Sequence, residues 1–398
     1  MNWESLEELP AGFPNWTPGS YLVYTQPGCG RAARPLLECG WTQPAMRRLF
    51  CGAFACLCAA VATPAADYHF GADISGMTPG ATFKDHGAEK PALQVFRDNG
   101  YNWVRYRLWH TPTRGAQNLE YVIARAQEAK KLGFKFLLNF HYSDTWADPL
   151  GQPIPKAWEG MDADKMANAL FEYTRDAIIA FRNAGVLPDM IQIGNEIGNG
   201  MLFPVGKIRD YKTKETTPQN WENLAKFIYA GVNGVDAGRG NSPRPRIMIH
   251  VDHGGDIPLT RWFFDKIRDY DIPYDTIGFS FYPWSHGTLP DLKATLEFAA
   301  AEYNKDVILV ETGYQNRPGR YFKELPGPYP ETPEGQKQWL EDVNAIVMSV
   351  AHGRGKGVYW WEPGNNGARG FFGADGNTLP VFDVFHRYTR PIHRTDGQ

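Results

Sequence analysis

The feature that most limits the possible folds is a regular alternation of strand-like and helix-like segments, which runs from about residue 67 nearly to the end of the 398-residue chain. Short apolar runs are typical of buried strands, and the longer segments between them carry apolar residues at helical spacing. The predicted strands are 69–75, 103–109, 135–142, 190–196, 246–252, 276–282, 306–311 and 357–361. The predicted helices are 88–99, 118–132, 163–184, 218–237, 260–269, 289–304, 333–351 and 381–388.

Eight such units, with no linker and no change of composition, predict one α/β domain over residues 67–398, a single (β/α)8 TIM barrel. A doubly wound open sheet is the alternative. It is less favoured because no glycine-rich phosphate-binding loop follows the first strand. In a barrel the functional residues gather at the C-terminal ends of the strands.

The N-terminal part of the chain has a different character. Met46-Arg47-Arg48 precedes a short apolar run that ends in Ala60-Val61-Ala62, the pattern of a signal peptide over residues 46–66. Residues 1–45 are rich in proline and glycine, and we interpret them as an upstream extension, either disordered or translated from a mis-assigned start. A buried helix of the fold is the alternative for the apolar run. The signal-like segment predicts an exported protein, periplasmic or extracellular.

The composition narrows the possible partners. The net charge is −3 and no basic run is present, so neither nucleic acid nor a membrane surface is expected as a partner. The chain contains 13 Trp and 19 Tyr, which suit stacking on sugar rings but could equally fill a core. We expect a monomer.

Two predicted strands end on a glutamate, Glu196 and Glu311. Burial at the end of a strand disfavours the charged form of a carboxylate and raises its pKa, which suits a general acid. Either glutamate alone could equally form a salt bridge in a loop. Together they suggest a pair of catalytic carboxylates.

Further polar residues lie at the ends of the other strands. Arg105 and Arg107 share one face of a strand, and either could hold Glu311 ionised; an ion pair at the surface or at the bottom of the barrel is the alternative for Arg105. Tyr282 could donate a hydrogen bond to Glu311, and Asn195 could bind a sugar hydroxyl. The remaining candidates at strand ends are Asp73, His141, His250 and either Trp360 or Trp361.

A metal site is a further possibility that the sequence raises. His250, Asp252, His253 and Asp256 could ligate zinc, but they lie on one short segment without a partner from a second segment. We therefore predict no metal.

Several segments together resemble a known family. They are FGADISGM (70–77), YNWVRYRLW (101–109), NFHYSDTWADPLGQPIPKAW (139–158), IGNEI (193–197), ETGY (311–314) and YWWEP (359–363). They are similar to the arabinogalactan endo-β-1,4-galactanases, family 53 of the glycoside hydrolases. The resemblance implies a barrel that hydrolyses β-1,4-galactan, a side chain of pectin, with retention of configuration. For retention we expect the two carboxyl groups to be about 5–5.5 Å apart, against roughly 6.5–9.5 Å for inversion.

The resemblance also implies roles for individual residues. Glu196 matches the acid/base and Glu311 the nucleophile. The supporting positions that match are Arg107, His141, Asn195, His250, Tyr282 and Trp361. Some bacterial members bind calcium in an acidic loop after the seventh strand, but residues 315–335 lack a clear row of carboxylates, so no cofactor is predicted.

Tryptophans are the candidates to stack on galactosyl rings along the cleft, with core packing as the alternative. They are Trp109, Trp146, Trp158 and Trp284. Three other functions remain open at this stage: a barrel glycosidase acting on mannan or xylan, a non-catalytic sugar-binding barrel, and a barrel metallohydrolase.

Overall fold

The computed structural model describes residues 67–113, 117–319, 321–323, 326–364 and 367–389. The predicted extension (1–45) and signal peptide (46–66) lie outside the described residues.

Eight parallel strands form a closed barrel, in which each strand pairs with the next along the chain and the eighth pairs with the first. The strands are His69–Asp73, Trp103–Leu108, Lys135–Phe140, Met190–Ile193, Arg246–Val251, Thr276–Phe281, Asp306–Thr312 and Gly355–Trp361. The TIM barrel prediction is therefore confirmed, and the open sheet is excluded. All eight strands lie close to the segments that their apolar patterns indicated.

Within the described residues, seven α-helices connect the strands of the barrel and an eighth follows the last strand. They are α1 (Ala92–Asp98), α2 (Leu119–Lys131), α3 (Ala163–Asn183), α4 (Trp221–Gly238), α5 (Ile257–Asp269), α6 (Leu289–Tyr303), α7 (Pro333–Ser349) and α8 (Asp383–Thr389). Gly100, Gly133 and Gly185 follow three of the helices with φ of 90°, 77° and 73°, the left-handed conformation that glycine adopts readily after the end of a helix. The start of α5 is capped by Asp256, whose side chain accepts a hydrogen bond from the backbone N–H of Leu259.

The first helix is shorter than predicted. The segment from residue 88 begins as strand Ala88–Pro91, which pairs antiparallel with Thr82–Asp85. Helix α1 starts only after Pro91, the N-cap residue, which has an extended backbone. The prediction of a helix over residues 88–99 is therefore wrong for residues 88–91.

Apolar side chains fill two separate layers. The larger layer lies between the strands and the surrounding helices, and the smaller one fills the barrel interior. The interior layer contains Trp103, Leu137, Met190, Met248, Ile308, Val310 and Tyr359. Because successive side chains of a strand alternate between its two faces, the residue two positions after several of these also points inward, nearer the C-terminal end. Polar side chains, among them Arg105, Gln192 and His250, occupy that next layer.

A β-bulge disturbs the register between the sixth and seventh strands. Phe279 lies opposite Leu309, but the next residue, Ser280, lies opposite Glu311, so Val310 is skipped. Strict alternation would have put Glu311 on the same face as Leu309, which packs in the outer layer. The bulge therefore re-aims Glu311 toward the barrel axis.

Within the described residues, no helix combines the length and the apolar composition that a membrane-spanning helix needs.

Candidate active site

A cavity of about 340 Å³ opens at the C-terminal ends of the strands. It is where a barrel of this type carries its functional residues. Its walls are formed by Asp73, Arg105, Arg107, Asn139, His141, Trp146, Ala147, Asp148, Asn195, Glu196, Tyr282, Trp284, Glu311, Tyr321, Trp361 and Arg369. Both predicted glutamates therefore face one cavity.

Glu196 follows the fourth strand in an unusual backbone conformation. Its φ of 48° and ψ of 51° lie in the left-handed region, which a residue with a long side chain rarely adopts. Such a conformation persists only where the surrounding structure holds it, and it is frequent at functional sites. Here it turns the carboxyl group into the cavity, where the Ser280 hydroxyl donates a 2.6 Å hydrogen bond to its Oε1.

Glu311 lies on the seventh strand and is held by two donors. Arg105 Nη1 donates to its Oε1 at 2.6 Å, and the Tyr282 hydroxyl donates to its Oε2 at 3.3 Å. The predicted contact between Tyr282 and Glu311 is thus present. Arg105 is itself fully buried, so this ion pair is shielded from water.

The two carboxyl groups differ in their electrostatic surroundings. Burial raises the pKa of Glu196 well above its ordinary value, and the charges of Glu311 and Asp252 raise it further. Burial also raises the pKa of Glu311, but the adjacent Arg105 guanidinium opposes that rise. Among the described residues, Glu196 forms no ion pair with a lysine or arginine. Glu196 is therefore the group that keeps its proton to higher pH, and Glu311 is the one that ionises first.

Arg105, rather than Arg107, contacts Glu311. The sequence left open which of the two arginines lies beside Glu311, and an ion pair at the surface or at the bottom of the barrel was the alternative for Arg105; the structure excludes that alternative. Arg105 lies one layer deeper, where it also pairs with Asp73 at 2.9 Å and donates to Asn195 Oδ1 at 2.9 Å. Arg107 lines the outer part of the cavity, where it pairs with Glu362 at 2.7 Å.

Asp73 and Asn195 hold other groups of the site in place. The Asp73 carboxylate is buried and accepts hydrogen bonds from Arg105 and Ser75. Asn195 accepts three hydrogen bonds at Oδ1, from Arg105, Asn139 and Gln192, and its Nδ2 donates to the Ala147 carbonyl. Both residues line the cavity, as predicted, and both are fixed by the layer beneath it.

Aromatic side chains form the outer walls. Trp146 is 44% exposed, with the Arg107 guanidinium 4.1 Å from its ring centroid. Trp284 stacks on Tyr321 with 4.0 Å between ring centroids, and Trp361 lies under the Arg369 guanidinium. Trp361 lines the cavity, whereas Trp360 is buried and donates to the Arg369 carbonyl.

Trp109 and Trp158 are not part of these walls. Trp109 packs edge-on against Trp146, and Trp158 is buried against His110. Of the four tryptophans suggested for stacking, only Trp146 and Trp284 line the cavity.

The two candidate histidines lie at different depths. His141 lines the cavity, and its Nδ1 accepts from the Ala147 N–H at 3.2 Å. His250 does not reach the cavity: it is fully buried between Gln192 and Ser280. The other members of the suggested zinc cluster have partners other than His250, since Asp256 caps α5 and Asp252 contacts His253. Within the described residues, no group of three or more His, Cys, Asp or Glu side chains is arranged to hold a metal ion.

Several residues of the site were missed at the sequence level. Gln192, Asn139 and Ser280 each occupy an interior position of a strand, and each joins the hydrogen-bond network below the carboxylates. The available signal was a single polar residue within an otherwise apolar strand, as in MIQI and TIGFSF.

A closed (β/α)8 barrel with two acids on one cavity defines the chain as a barrel glycoside hydrolase. Comparison with known sequences narrows the class: the profile described as "Glycosyl hydrolase family 53" matches residues 69–390, so the chain belongs to that family.

Known relatives agree with this placement. The chain is 35% identical over 327 residues to an arabinogalactan endo-beta-1,4-galactanase of Thermothelomyces thermophilus, which covers 77% of this chain and 94% of the relative. A solved fungal beta-1,4-galactanase is 34% identical with a TM-score of 0.72, covering 80% of this chain and 98% of that one. The family 53 catalytic domain of Ignisphaera aggregans is 27% identical with a TM-score of 0.70, covering 80% and 95%.

Proposed function

We propose that this glycoside hydrolase is an endo-acting β-1,4-galactanase that cleaves galactan, including the type I arabinogalactan side chains of pectin, with retention of configuration. The observation that carries the chemistry is the unequal pair of acids on one cavity: Glu311 is bonded to Arg105 and Tyr282, whereas Glu196 has no cationic partner among the described residues. The choice of galactan is supported by the names of the similar enzymes.

The first chemical step forms a covalent intermediate. The ionised Glu311 attacks the anomeric carbon, and the bond from that carbon to the leaving oxygen breaks with its electron pair on the oxygen. Glu196 protonates this oxygen as it leaves. Arg105 and Tyr282 hold the attacking carboxylate in position, so little reorganisation is needed when the bond forms.

The second step releases the sugar. Glu196, now ionised, takes a proton from water, and the water oxygen attacks the anomeric carbon while the bond to Glu311 breaks. The two inversions give net retention. One residue can serve as acid and then as base because its raised pKa keeps it protonated in the free enzyme and lets it accept a proton again.

The leaving half of the substrate must lie on the Glu196 side of the site. A second cavity, about 590 Å³ in volume, lies in that direction, since Asp252 lines it and its charge acts on Glu196. Tyr211, which is 37% exposed, lies on its wall. We assign the leaving-group sugars to this side and the sugars that become bound to Glu311 to the side of Trp146 and Trp361.

The assignment of Glu196 is tested by Glu196→Gln. This change keeps the shape of the side chain and removes its acid, so hydrolysis of galactan should fall by at least about 1000-fold while binding of galacto-oligosaccharides persists. Glu297→Gln, an exposed glutamate on α6, is the matched control. Substantial residual hydrolysis by the Glu196 variant would remove the assignment, and loss of binding would indicate a structural defect.

The substrate is tested with purified linear polysaccharides. Product analysis on linear β-1,4-galactan should show a mixture of short oligosaccharides early in the reaction, as internal cleavage requires. Faster hydrolysis of mannan or xylan would replace the galactanase assignment by another barrel glycosidase. Binding of galactan without hydrolysis would indicate a non-catalytic sugar-binding barrel.

We further propose that the enzyme is exported and acts as a monomer without a metal or organic cofactor, binding neither nucleic acid nor membrane. The signal-like pattern of residues 46–66 supports export. N-terminal sequencing of the secreted protein should show that the signal has been removed; a mature chain that still contains Trp16 would contradict this. Full activity in a chelator is expected, and a loss that calcium or zinc restores would refute the metal-free proposal.

A further inference from the structure

The hydrogen bonds around His250 run in only one direction. Both neighbours of its Nδ1 are donors. The backbone N–H of Glu196 lies 3.3 Å away and can only donate. The side-chain nitrogen of Gln192 lies 3.0 Å away, and its Oε1 is already taken by Arg105 Nε and Nη2 at 3.2 and 3.1 Å. His250 Nδ1 is therefore an acceptor.

The tautomer of the ring follows from this. A neutral imidazole with an accepting Nδ1 carries its proton on Nε2. Burial lowers the pKa of His250 well below its ordinary value, and the charge of Arg105 lowers it further, so the ring is neutral. His250 Nε2–H then donates to the Ser280 hydroxyl oxygen at 2.9 Å.

The hydroxyl proton of Ser280 has one acceptor, the carboxyl group of Glu196. Because its oxygen accepts from His250, the proton points to Glu196 Oε1, 2.6 Å away. A carboxyl oxygen that accepts this short hydrogen bond is a poor site for the acid proton. The proton of Glu196 is thereby left to the other oxygen, Oε2.

We propose that Ser280, oriented by His250, is a positioning residue that selects Oε2 of Glu196 as the atom that gives and takes the catalytic proton. In the first step the O–H bond at Oε2 breaks and its proton moves to the leaving oxygen. In the second step Oε2 accepts a proton from water. Oε1 keeps its hydrogen bond from Ser280 throughout, which supports the ionised form between the steps. The proposal rests on the proposed function, in which Glu196 is the acid/base.

Arg105 connects the two acids in this arrangement. It donates directly to Glu311, and by occupying Gln192 Oε1 it turns the amide nitrogen of Gln192 toward His250. One guanidinium thus fixes the direction of the hydrogen bonds that reach both carboxyl groups.

The test is the pH dependence of kcat/KM on galacto-oligosaccharides in three variants, Ser280→Ala, Ser280→Cys and Ser280→Thr. The basic limb reports the pKa of the acid/base in the free enzyme. Alanine removes a hydrogen bond to a charged group, so the basic limb should move upward by about one to two pH units, and kcat should fall by about 10-fold. Cysteine, a weak donor, should shift the basic limb by less than alanine does. Threonine, which keeps the hydroxyl, should leave the basic limb at its wild-type position.

The other titratable groups that face Glu196 are unchanged in these variants. These groups are Glu311, Asp252, Asp148, Tyr211, Tyr282 and His250. Of these six, only His250 shares a side-chain hydrogen bond with Ser280 among the described residues. Asp252→Asn supplies an opposite control, because removing that charge lowers the pKa of Glu196 and should move the basic limb downward.

Two outcomes separate this proposal from the proposed function. A basic limb that stays in place in both the alanine and the cysteine variants, whatever the loss of rate, would overturn the role of Ser280. If Ser280→Ala does not fold, the remaining variants still test the proposal: the basic limb of the cysteine variant should lie at higher pH than the basic limbs of the threonine variant and the wild type. Glu196→Ala with azide as an external nucleophile tests the function itself: retained hydrolysis, or no azide adduct from an activated aryl glycoside, would remove Glu196 as acid/base.

Discussion

Arg105 and Arg107 have the same side chain, on the same face of the same strand, two residues apart, yet their surroundings differ. All three nitrogens of the Arg105 guanidinium are hydrogen-bonded, to Asp73, Glu311, Gln192 and Asn195. Arg107 pairs with Glu362 through one nitrogen, while its buried Nε and Nη1 have no hydrogen-bond partner among the described residues.

The difference follows from depth along the barrel axis. At the deeper layer every donor finds a side chain from a neighbouring strand, and the guanidinium becomes part of the framework. One layer higher Arg107 lines the outer part of the cavity, and Glu362 is its ionic partner among the described residues. We therefore expect the deeper arginine to position the reacting groups and the outer one to contact the sugar.

The largest effect should come from Arg105→Lys. Lysine keeps the charge but cannot reproduce the fixed fork that holds Glu311, Gln192 and Asn195 together. We expect kcat on galactan to fall by about 100-fold or more, with circular dichroism unchanged. A loss of less than 10-fold in a folded variant would contradict the deeper role of Arg105.

The same variant should alter the acid side of the pH profile. Arg105 favours the ionised form of Glu311, so weakening its hydrogen bonds raises the pKa of Glu311 in the folded enzyme. The nucleophile then protonates at higher pH, and the acid limb of kcat/KM should move upward by about one unit. Arg107→Lys is the matched control, and its acid limb should stay in place.

Arg107→Lys should act on binding instead. It removes the stacking on Trp146 and the planar guanidinium that lines the cavity, so KM should rise by about 10-fold while kcat changes little. Steady-state kinetics on galactotetraose would measure both constants. A fall in kcat larger than the rise in KM would show that the two arginines are not divided in this way.

The smallest effect should come from Glu362→Gln, which leaves Arg107 without its ionic partner. We expect KM to rise by about 3-fold, because the guanidinium is then less well oriented. The double variant Arg107→Lys/Glu362→Gln should be less impaired than the product of the two single effects, since both changes act on one interaction. Fully multiplicative effects would mean that Glu362 acts by another route.

The fold was predictable because the relevant signal is local. Each strand carries its own apolar run and each helix its own period, so the barrel could be assembled from eight independent patterns. The exception is the start of α1, where the structure has a hairpin strand ending at Pro91 in place of the predicted helix, because pairing with residues 82–85 is not visible in the segment itself.

Part of the membership of the site was predictable, but the depth of its residues along the barrel axis was not. Alternation places Arg105 and Arg107 on one face, but it does not say which of them meets Glu311, since this depends on the stagger of the strands around the barrel. The direction in which the Glu311 side chain points depends on the bulge at Val310, since simple alternation would place it on the outer face of the strand. Gln192 and Ser280 were missed because a lone polar residue in a strand gains meaning only when its cross-strand partners are known.

The backbone at Glu196 has a consequence for heat resistance. A left-handed conformation costs a side chain of this kind about 1–2 kcal/mol, and a second carboxylate nearby adds repulsion once both are charged. Glycine or asparagine adopts the same backbone more readily. Replacing Glu196 by either residue should therefore give a protein that no longer turns over substrate yet melts at a higher temperature than the wild type. The strained backbone at Glu196 thus serves the reaction and lowers the thermal stability of the folded protein.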